Sequence, residues 1–511
     1  SLAQAPYASI DAFSKLVVLL TRVFASGGGT AAGARGVSAL HILLSAVVRV
    51  IVRAHHLAVE DSSLDLRPHF RLFSNILNEL TPEDGYDNYG ADGKERDSGA
   101  SLATGPGVEV VSTASFQVLA TVAGALEASN PLRAPAFAYG WLELLSHRGL
   151  LPRLLNAKLQ KGWPIFERLL VQLLTFLAPH LQAAVGTELP SPIRVLYRGT
   201  LRVLLMLLHD FPEFLCAYHF ALCDVMTPRC IQLRNLVLSA FPRNMRLPDP
   251  FLSDLKFDQL PEMAAMPLVL SNVTAALSAV PVAGDFSLHN ALDEVLGGRA
   301  PVARLDLPHR LLSAVATGVA NGTGGANGAT TAAGESRWNI SAIHSVVLYT
   351  GRHFLSERRA NRGTGSISSG PHADVLRTVV LELDAEGRYH ALNGIANQLR
   401  YPNSHTHYFS CVLLLLFSEV REEVVKEQIT RVLVERLIAN RPHPWGLLIT
   451  FVELIKNPTY SFWRHSFVTC APEIQRLFRS VANSCCGSPP AGVGGNTGGA
   501  GMASTGLRLS S

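Results

Sequence analysis

The sequence predicts an all-α protein, a solenoid of stacked antiparallel helix pairs, and three observations carry that prediction. Between its loops the chain spaces apolar residues at steps of three and four almost throughout, the period of a helix that buries one face. The breaks between these stretches hold Pro and Gly in helix-ending contexts rather than in the two-residue turns of hairpins. A degenerate motif recurs as Trp141-Leu-Glu-Leu-Leu-Ser-His147, Leu204-Leu-Met-Leu-Leu-His-Asp210 and Phe451-Val-Glu-Leu-Ile-Lys-Asn457. Each copy closes an apolar helix ahead of a turn and a second amphipathic helix, as in HEAT-like repeats, where neither helix of a pair can bury its face alone.

Taken in order, residues 1–80 form a first helical segment. Residues 81–107, including Asp84-Gly-Tyr-Asp-Asn-Tyr-Gly-Ala-Asp-Gly-Lys94, read as a flexible linker too poor in apolar groups to offset the entropy of ordering. A helical repeat unit spans 108–317. Within it Asp210-Phe-Pro-Glu213 places an acceptor, an early proline and an acid where a helix opens, directly after the stripe Leu201, Leu204, Leu205, Leu208. The uncharged run Met263 to Gly284 is long enough to span a bilayer. Pro267, Ser271, Asn272, Thr274, Ser278 and Pro281 interrupt it with demands hydrocarbon meets poorly, so no membrane partner is expected.

A second flexible linker covers 318–336, and a carboxy-terminal helical unit covers 337–484, with a disordered loop at 357–371. Thr378 to Glu382 comes nearest to a strand and suits a helix equally well. In Arg421 to Asn440, Val425, Ile429, Val432, Leu433 and Leu437 make one buried face. The other face pairs Glu422 with Lys426 and Glu427 with Arg431, acid first. Residues 485–511 form a disordered tail.

A chain of 511 residues is too long for one core, and its 48% hydrophobic content supplies ample apolar surface for several. The 44 Lys and Arg nearly cancel 40 Asp and Glu, so any nucleic-acid contact depends on local basic clusters. Seven cysteines, an odd number, fit free thiols in a reducing compartment. The chain opens at Ser1 with no secretory leader pattern, as a piece of a longer intracellular protein would.

Few constellations invite chemistry. Cys216, His219, Cys223 and Cys230, with His209 nearby, are zinc-ligand types, but the cysteines stand seven apart and no finger-type pair of cysteines two to four residues apart occurs. They read as buried structural thiols. His405 and His407 diverge on a helix and read as hydrogen-bonded helix-end histidines. The Gly-rich runs 26–33 and 363–370 lack the Gly-Lys-Ser/Thr ending of a phosphate loop and read as linkers. No catalytic residue, cofactor or metal is expected.

Two recognition surfaces are candidates. Arg194, Arg198 and Arg202 stand four apart on one stripe, and Arg358, Arg359 and Arg362 crowd a loop; both could contact RNA phosphates or acidic partner segments. Tyr401, His405, Tyr408, His443, Trp445, Tyr460, Phe462 and Trp463 cluster at helix ends as exposed anchors for an extended partner.

Several uninterrupted stretches resemble one family. They include Ala134-Pro-Ala-Phe-Ala-Tyr-Gly-Trp141, Leu208-His-Asp-Phe-Pro-Glu-Phe-Leu-Cys216, Leu399-Arg-Tyr-Pro-Asn-Ser-His-Thr-His-Tyr-Phe-Ser-Cys411 and Ile438-Ala-Asn-Arg-Pro-His-Pro-Trp-Gly446. The family is that of the largest scaffold subunit of the CCR/NOT messenger-RNA deadenylase complex, here Not-one, and the resemblance is to its carboxy-terminal domain over roughly 115–262 and 340–484. The resemblance implies a HEAT-like domain without catalytic activity. It implies as partners the Not-two and Not-three or Not-five subunits, which build the NOT module, and repressor peptides that bring deadenylation to chosen transcripts. It also implies a role in mRNA decay and translational repression, and a cytoplasmic or nuclear location. An RNA-binding helical module acting through the arginine patches is the alternative.

Overall fold

The computed structural model describes residues 7–26, 30–57, 65–79, 106–183, 188–251, 259–283, 286–313, 336–360 and 365–486. They form an all-α, helical-repeat fold. The chain divides into two compact units, 1–180 with 186–203 and 181–185 with 204–511. This differs from the sequence expectation, which placed divisions at 81–107 and 318–336; residues 81–105 and 318–335 lie outside the described residues.

The amino-terminal unit holds α1 (Ala8–Ser26), α2 (Thr30–Leu57), α3 (Arg67–Glu79), α4 (Pro106–Ala128), α5 (Ala138–Leu145) and α6 (Leu151–Leu155), together with most of α7 (Trp163–Ala183) and α8 (Ser191–Asp210). α1 packs on α2 and α3, and α2 on α4. Asp11 on α1 accepts two 2.7 Å bonds from the Arg71 guanidinium of α3 and a third from Asn75. These donors hold the Asp11 carboxyl down at about 2. Trp141 is fully buried with its indole N–H satisfied by the Leu126 carbonyl at 2.8 Å. α1 is apolar on both sides: Val17 and Val18 face inward, while Phe13, Leu16, Leu19, Leu20 and Val23 are exposed. Within α2, Gly36–His56 is long and apolar enough to cross a membrane by length and composition alone, whereas residues 263–283 are not one helix.

The carboxy-terminal unit continues with α9 (Pro212–Asp224), α10 (Ile231–Leu238), α11 (Ala275–Ser278), α12 (Leu288–Leu296), α13 (Leu307–Arg310) and α14 (Ile340–Ala360). Then follow α15 (Pro371–Leu381), α16 (Ala385–Ala396), α17 (Ser404–Glu419), α18 (Glu423–Ile438), α19 (Trp445–Lys456), α20 (Ser466–Thr469) and α21 (Pro472–Cys486). The described strands are β1 (Pro281–Ala283) and β2 (Phe286–Ser287), a short antiparallel pair. α17 is the centre of this unit. It packs against α14, α16, α18 and α19, and thirteen of its sixteen residues are buried, so its apolar run needs no amphipathic stripe. Asn403 caps it by accepting from the Thr406 N–H at 3.1 Å.

Two glycines permit the closest approaches to α17. A Cβ on Gly351 of α14 would sit 2.4 Å from the Phe409 ring, and one on Gly446 of α19 would sit 2.5 Å from Thr406 and 2.7 Å from the Arg400 carbonyl. Ties between positions far apart in sequence close the unit. Arg400 donates to the Cys216 carbonyl at 3.0 Å, Asn235 to the Arg436 carbonyl at 2.8 Å and Trp445 to the Pro248 carbonyl at 2.7 Å.

Local expectations fared unevenly. The helix predicted at 421–440 is α18, and all five of its named apolar residues are buried. Arg431 turns to Glu435 at 2.6 Å, and Lys426 lies over the Phe417 ring. The helix, tight turn, helix at Asp210 is α8 and α9, but Phe211 occupies the cap position and Asp210 instead contacts His209 at 2.7 Å. Thr378–Leu381 belong to α15.

The linkers are shorter than expected. Thr30–Gly33 open α2, residues 106–107 belong to α4, and Glu357–Ala360 close α14. Ser368 is held through its carbonyl by Arg377 at 2.5 Å. Cys485 and Cys486 end α21, and residues 487–511 lie outside the described residues.

Candidate functional site

The aromatic and histidine cluster expected to be an exposed recognition surface is core. Tyr401, His405, Tyr408, Trp445, Tyr460 and Phe462 are buried. Tyr408 stacks on Phe354 with centroids 4.8 Å apart, and Phe462 meets Phe451 and Phe478 edge-on. His443 is half-buried, with its Nε2 2.8 Å from the Ala439 carbonyl. Trp463, 37% exposed, is the one of the eight that reaches solvent substantially, and its indole donates to the Ile455 carbonyl at 3.1 Å. The reason is the central position of α17: side chains at its ends meet neighbouring helices, not water. Burial beside the Arg400 and Arg352 cations pushes His405 down to about 3, so it stays neutral.

The sulfur cluster is also core. Cys216, Cys223 and Cys230 are buried free thiols, and burial pushes Cys216 up to about 12 and Cys223 up to about 11. His219 spans the Cys216 carbonyl at 3.1 Å and Gln398 at 3.2 Å, and burial holds its pKa well below the usual value. These partners orient a structural histidine.

The arginines separate. Arg194, Arg198 and Arg202 do share α8. Arg194 is engaged by Glu188 at 2.8 Å, whereas Arg198 and Arg202 are exposed. Arg358 and Arg359 lie in the last turn of α14 rather than in a loop, and Arg362 lies outside the described residues.

A large groove, about 1310 Å³, occupies a different part of the carboxy-terminal unit, between the end of α9, the start of α14, α16 and α18. Trp338, Tyr389 and His390 give it an aromatic wall; Asp224, Arg229, Arg431 and Glu435 give it charge. Its polar groups are locked in place. Asp224 accepts from Ser341 at 2.6 Å and lies 3.2 Å from His344 Nδ1. Glu435 accepts from Tyr389 at 2.8 Å and from Arg431 at 2.6 Å, and the Arg431 guanidinium sits over the Tyr389 ring. The Trp338 indole donates to Asp384 at 2.9 Å, and Asp384 also caps α16 through the Gly387 N–H. Burial and the adjacent Glu435 raise the Tyr389 pKa, so the phenol remains a donor. Such a wall offers stacking faces and rigid hydrogen-bonding groups to an incoming chain, in contrast to a free nucleophile and base.

Sequence reasoning missed this groove because its walls come from α9, α14, α16 and α18, which no local spacing relates to one another. It also missed His353, Glu357 and His372, whose ligand atoms lie within 4.8 Å of one another. The i, i+4 spacing of His353 and Glu357 was the available signal.

Comparison with known proteins places this architecture. The profile of the family described as CCR4-Not complex component, Not1, matches residues 106–482. The chain is 39% identical over 491 residues to CCR4-NOT transcription complex subunit let-711 of Caenorhabditis elegans, covering 94% of this chain and 16% of that protein. It is 33% identical over 480 residues to general negative regulator of transcription subunit 1 of Schizosaccharomyces pombe, covering 93% and 20%. The chain thus spans a fifth or less of the length of these curated relatives. Among solved structures, the NOT1 superfamily homology domain from Chaetomium thermophilum superposes with a TM-score of 0.75 at 27% identity, covering 95% of this chain and 85% of that one. A Not1 C-terminal domain in complex with Not4 gives a TM-score of 0.70 at 26% identity, covering 91% and 86%. With the profile running through both helical units and the same helices recurring in the solved domains, the chain belongs to the Not1 family of CCR4-Not complex components.

Proposed function

We propose that this chain is a non-catalytic scaffold that anchors the Not-two and Not-three or Not-five subunits of the CCR4-NOT complex, and so supports mRNA deadenylation, decay and translational repression. Family membership carries the proposal, and the solved relative bound to Not4 supports a partner-binding role for this region. The groove supports it chemically. Asp224, Arg431 and Glu435 are each engaged by neighbouring side chains, and the aromatic wall is of the kind on which a few anchors of an extended segment gain most of their affinity. Repressor peptides are a further class of occupant. The site of action would be the cytoplasm, with the nucleus as a second location.

The test is co-purification of the chain with Not-two, Not-three or Not-five, and Not4 segments. The same assay is repeated on a Tyr389→Ala, Arg431→Ala double variant whose melting temperature is checked alone. Retention of partners by the wild type and loss by a folded variant is expected; failure of the wild type to retain any of them sinks the scaffold reading. A second reading, RNA contact through α8, is favoured by the exposure of Arg198 and Arg202 on one stripe. Its mark would be RNA affinity that falls with salt and weakens in an Arg198→Ala, Arg202→Ala variant.

A further inference from the structure

We propose that His353, Glu357 and His372 form a binding site for a zinc-class divalent transition-metal cation, distinct from the groove. His353 and Glu357 stand one turn apart in the carboxy-terminal half of α14 and project to the same side. Pro371 starts α15, which puts His372 in its first turn and against them.

The distances suit a shared cation. His353 Nδ1 and His372 Nε2 are 2.9 Å apart, and the Glu357 oxygens lie 3.9 Å from the first and 3.6 Å from the second. Two ligands on a tetrahedral zinc with bonds of 2.0–2.1 Å are about 3.3 Å apart. The imidazoles must therefore part by a few tenths of an ångström and the carboxylate close by about as much. Without metal, the 2.9 Å contact is one N–H···N bond between rings. On binding, the donating ring switches tautomer, its proton moving by way of solvent to that ring's other nitrogen, so that both rings stay neutral and both facing lone pairs turn to the cation.

The rings are held from behind. His372 packs edge-on against Phe354, centroids 5.5 Å apart at 71°, and Phe354 is itself stacked on Tyr408 of α17; His353 lies beside Tyr349. Exposure rises across the three ligands: the side chains are 9% exposed at His372, 25% at His353 and 45% at Glu357. The site thus opens to solvent on the Glu357 side, which provides an entry path and a fourth position for water. Two imidazoles and one carboxylate select zinc-class ions over magnesium and calcium, which want oxygen ligands. Bound metal would tie the end of α14 to the start of α15.

The probes are zinc and cobalt(II) chlorides, titrated into chelator-treated and dialysed protein by calorimetry and by the d–d absorption of tetrahedral cobalt. One saturable site is expected, with no heat from magnesium or calcium. Glu357→Gln and His353→Gln should each weaken zinc binding by at least about 100-fold, beyond what loss of a supporting group costs, and abolish the cobalt bands. Glu357 is exposed enough that Glu357→Gln should keep its metal-free melting temperature, so a null result cannot be blamed on misfolding. Absence of saturable uptake by the wild type, or undiminished affinity in either variant, overturns the site.

Discussion

α1 and α17 are both strongly apolar helices, yet one lies at the surface of its unit and the other at the centre. α17 is enclosed by four helices and buries residues on every side, including Ser404, Thr406 and Ser410. α1 buries Val17 and Val18 but leaves Phe13, Leu16, Leu19, Leu20 and Val23 exposed. Hydrophobicity alone does not tell the two apart. The number of neighbours does, and the energetic weight of an apolar side chain follows the surface actually removed from water.

Substitution should separate the two helices sharply. Phe409→Ala on α17 removes a fully buried ring and should cost ~3–5 kcal/mol in urea unfolding of the carboxy-terminal unit. Gly446→Ala should cost about 3 kcal/mol, the upper range of overpacking, because the new methyl meets, beside the Thr406 methyl, the Leu399–Arg400 backbone, which cannot swing away. Equal stability of that variant and the wild type would break the claim that α17 and α19 are in hard contact.

Acid should also strike the central helix. His405 has a folded-state pKa lowered from 6.5 to about 3. Its contribution is fully present above 6.5; below that the unfolded chain takes up a proton that the folded one refuses, so stability is lost as pH falls from 6.5 towards 3. The slope is up to ~1.4 kcal/mol per pH unit for this one group. His405→Leu should flatten the decline in unfolding midpoint between pH 6.5 and 4.5 in part, with the shares due to His219, His372 and His390 remaining. Trp445→Phe, which deletes the 2.7 Å bond to the Pro248 carbonyl, should cost ~1 kcal/mol. Leu19→Gln on α1 should fall within about 0.5 kcal/mol of wild type in thermal melts. A larger loss would show that the outer face of α1 is covered.

The helical class and the inner faces were legible because they depend on local spacing: the five apolar residues named on α18 are all buried, with Val434 beside them. Accessibility was not legible. Tyr408 and Phe462 carry the residue types of a binding anchor, and nothing in their local sequence announces that Phe354 and Phe451 will cover them from other helices. The unit boundaries were not legible for a related reason. Gly-rich stretches mark where a chain can loop, while a unit ends where packing ends, and here that falls within helices α7 and α8. The groove and the His353, Glu357, His372 cluster are products of tertiary proximity, so only their parts could be read.

The bonds that close the carboxy-terminal unit also set a schedule for its synthesis. The Cys216 carbonyl waits for Arg400, 184 residues later, and Asn235 waits for Arg436, 201 residues later. At ~5–20 residues per second the interval is roughly 10–40 s. Throughout it α9 and α10 are out on the nascent chain without the segment from Arg400 to α18, whose Arg400 guanidinium and Arg436 carbonyl complete their hydrogen bonds. A polypeptide in that condition is a client for chaperones, and the time it spends as one is written into the distance between α10 and α18.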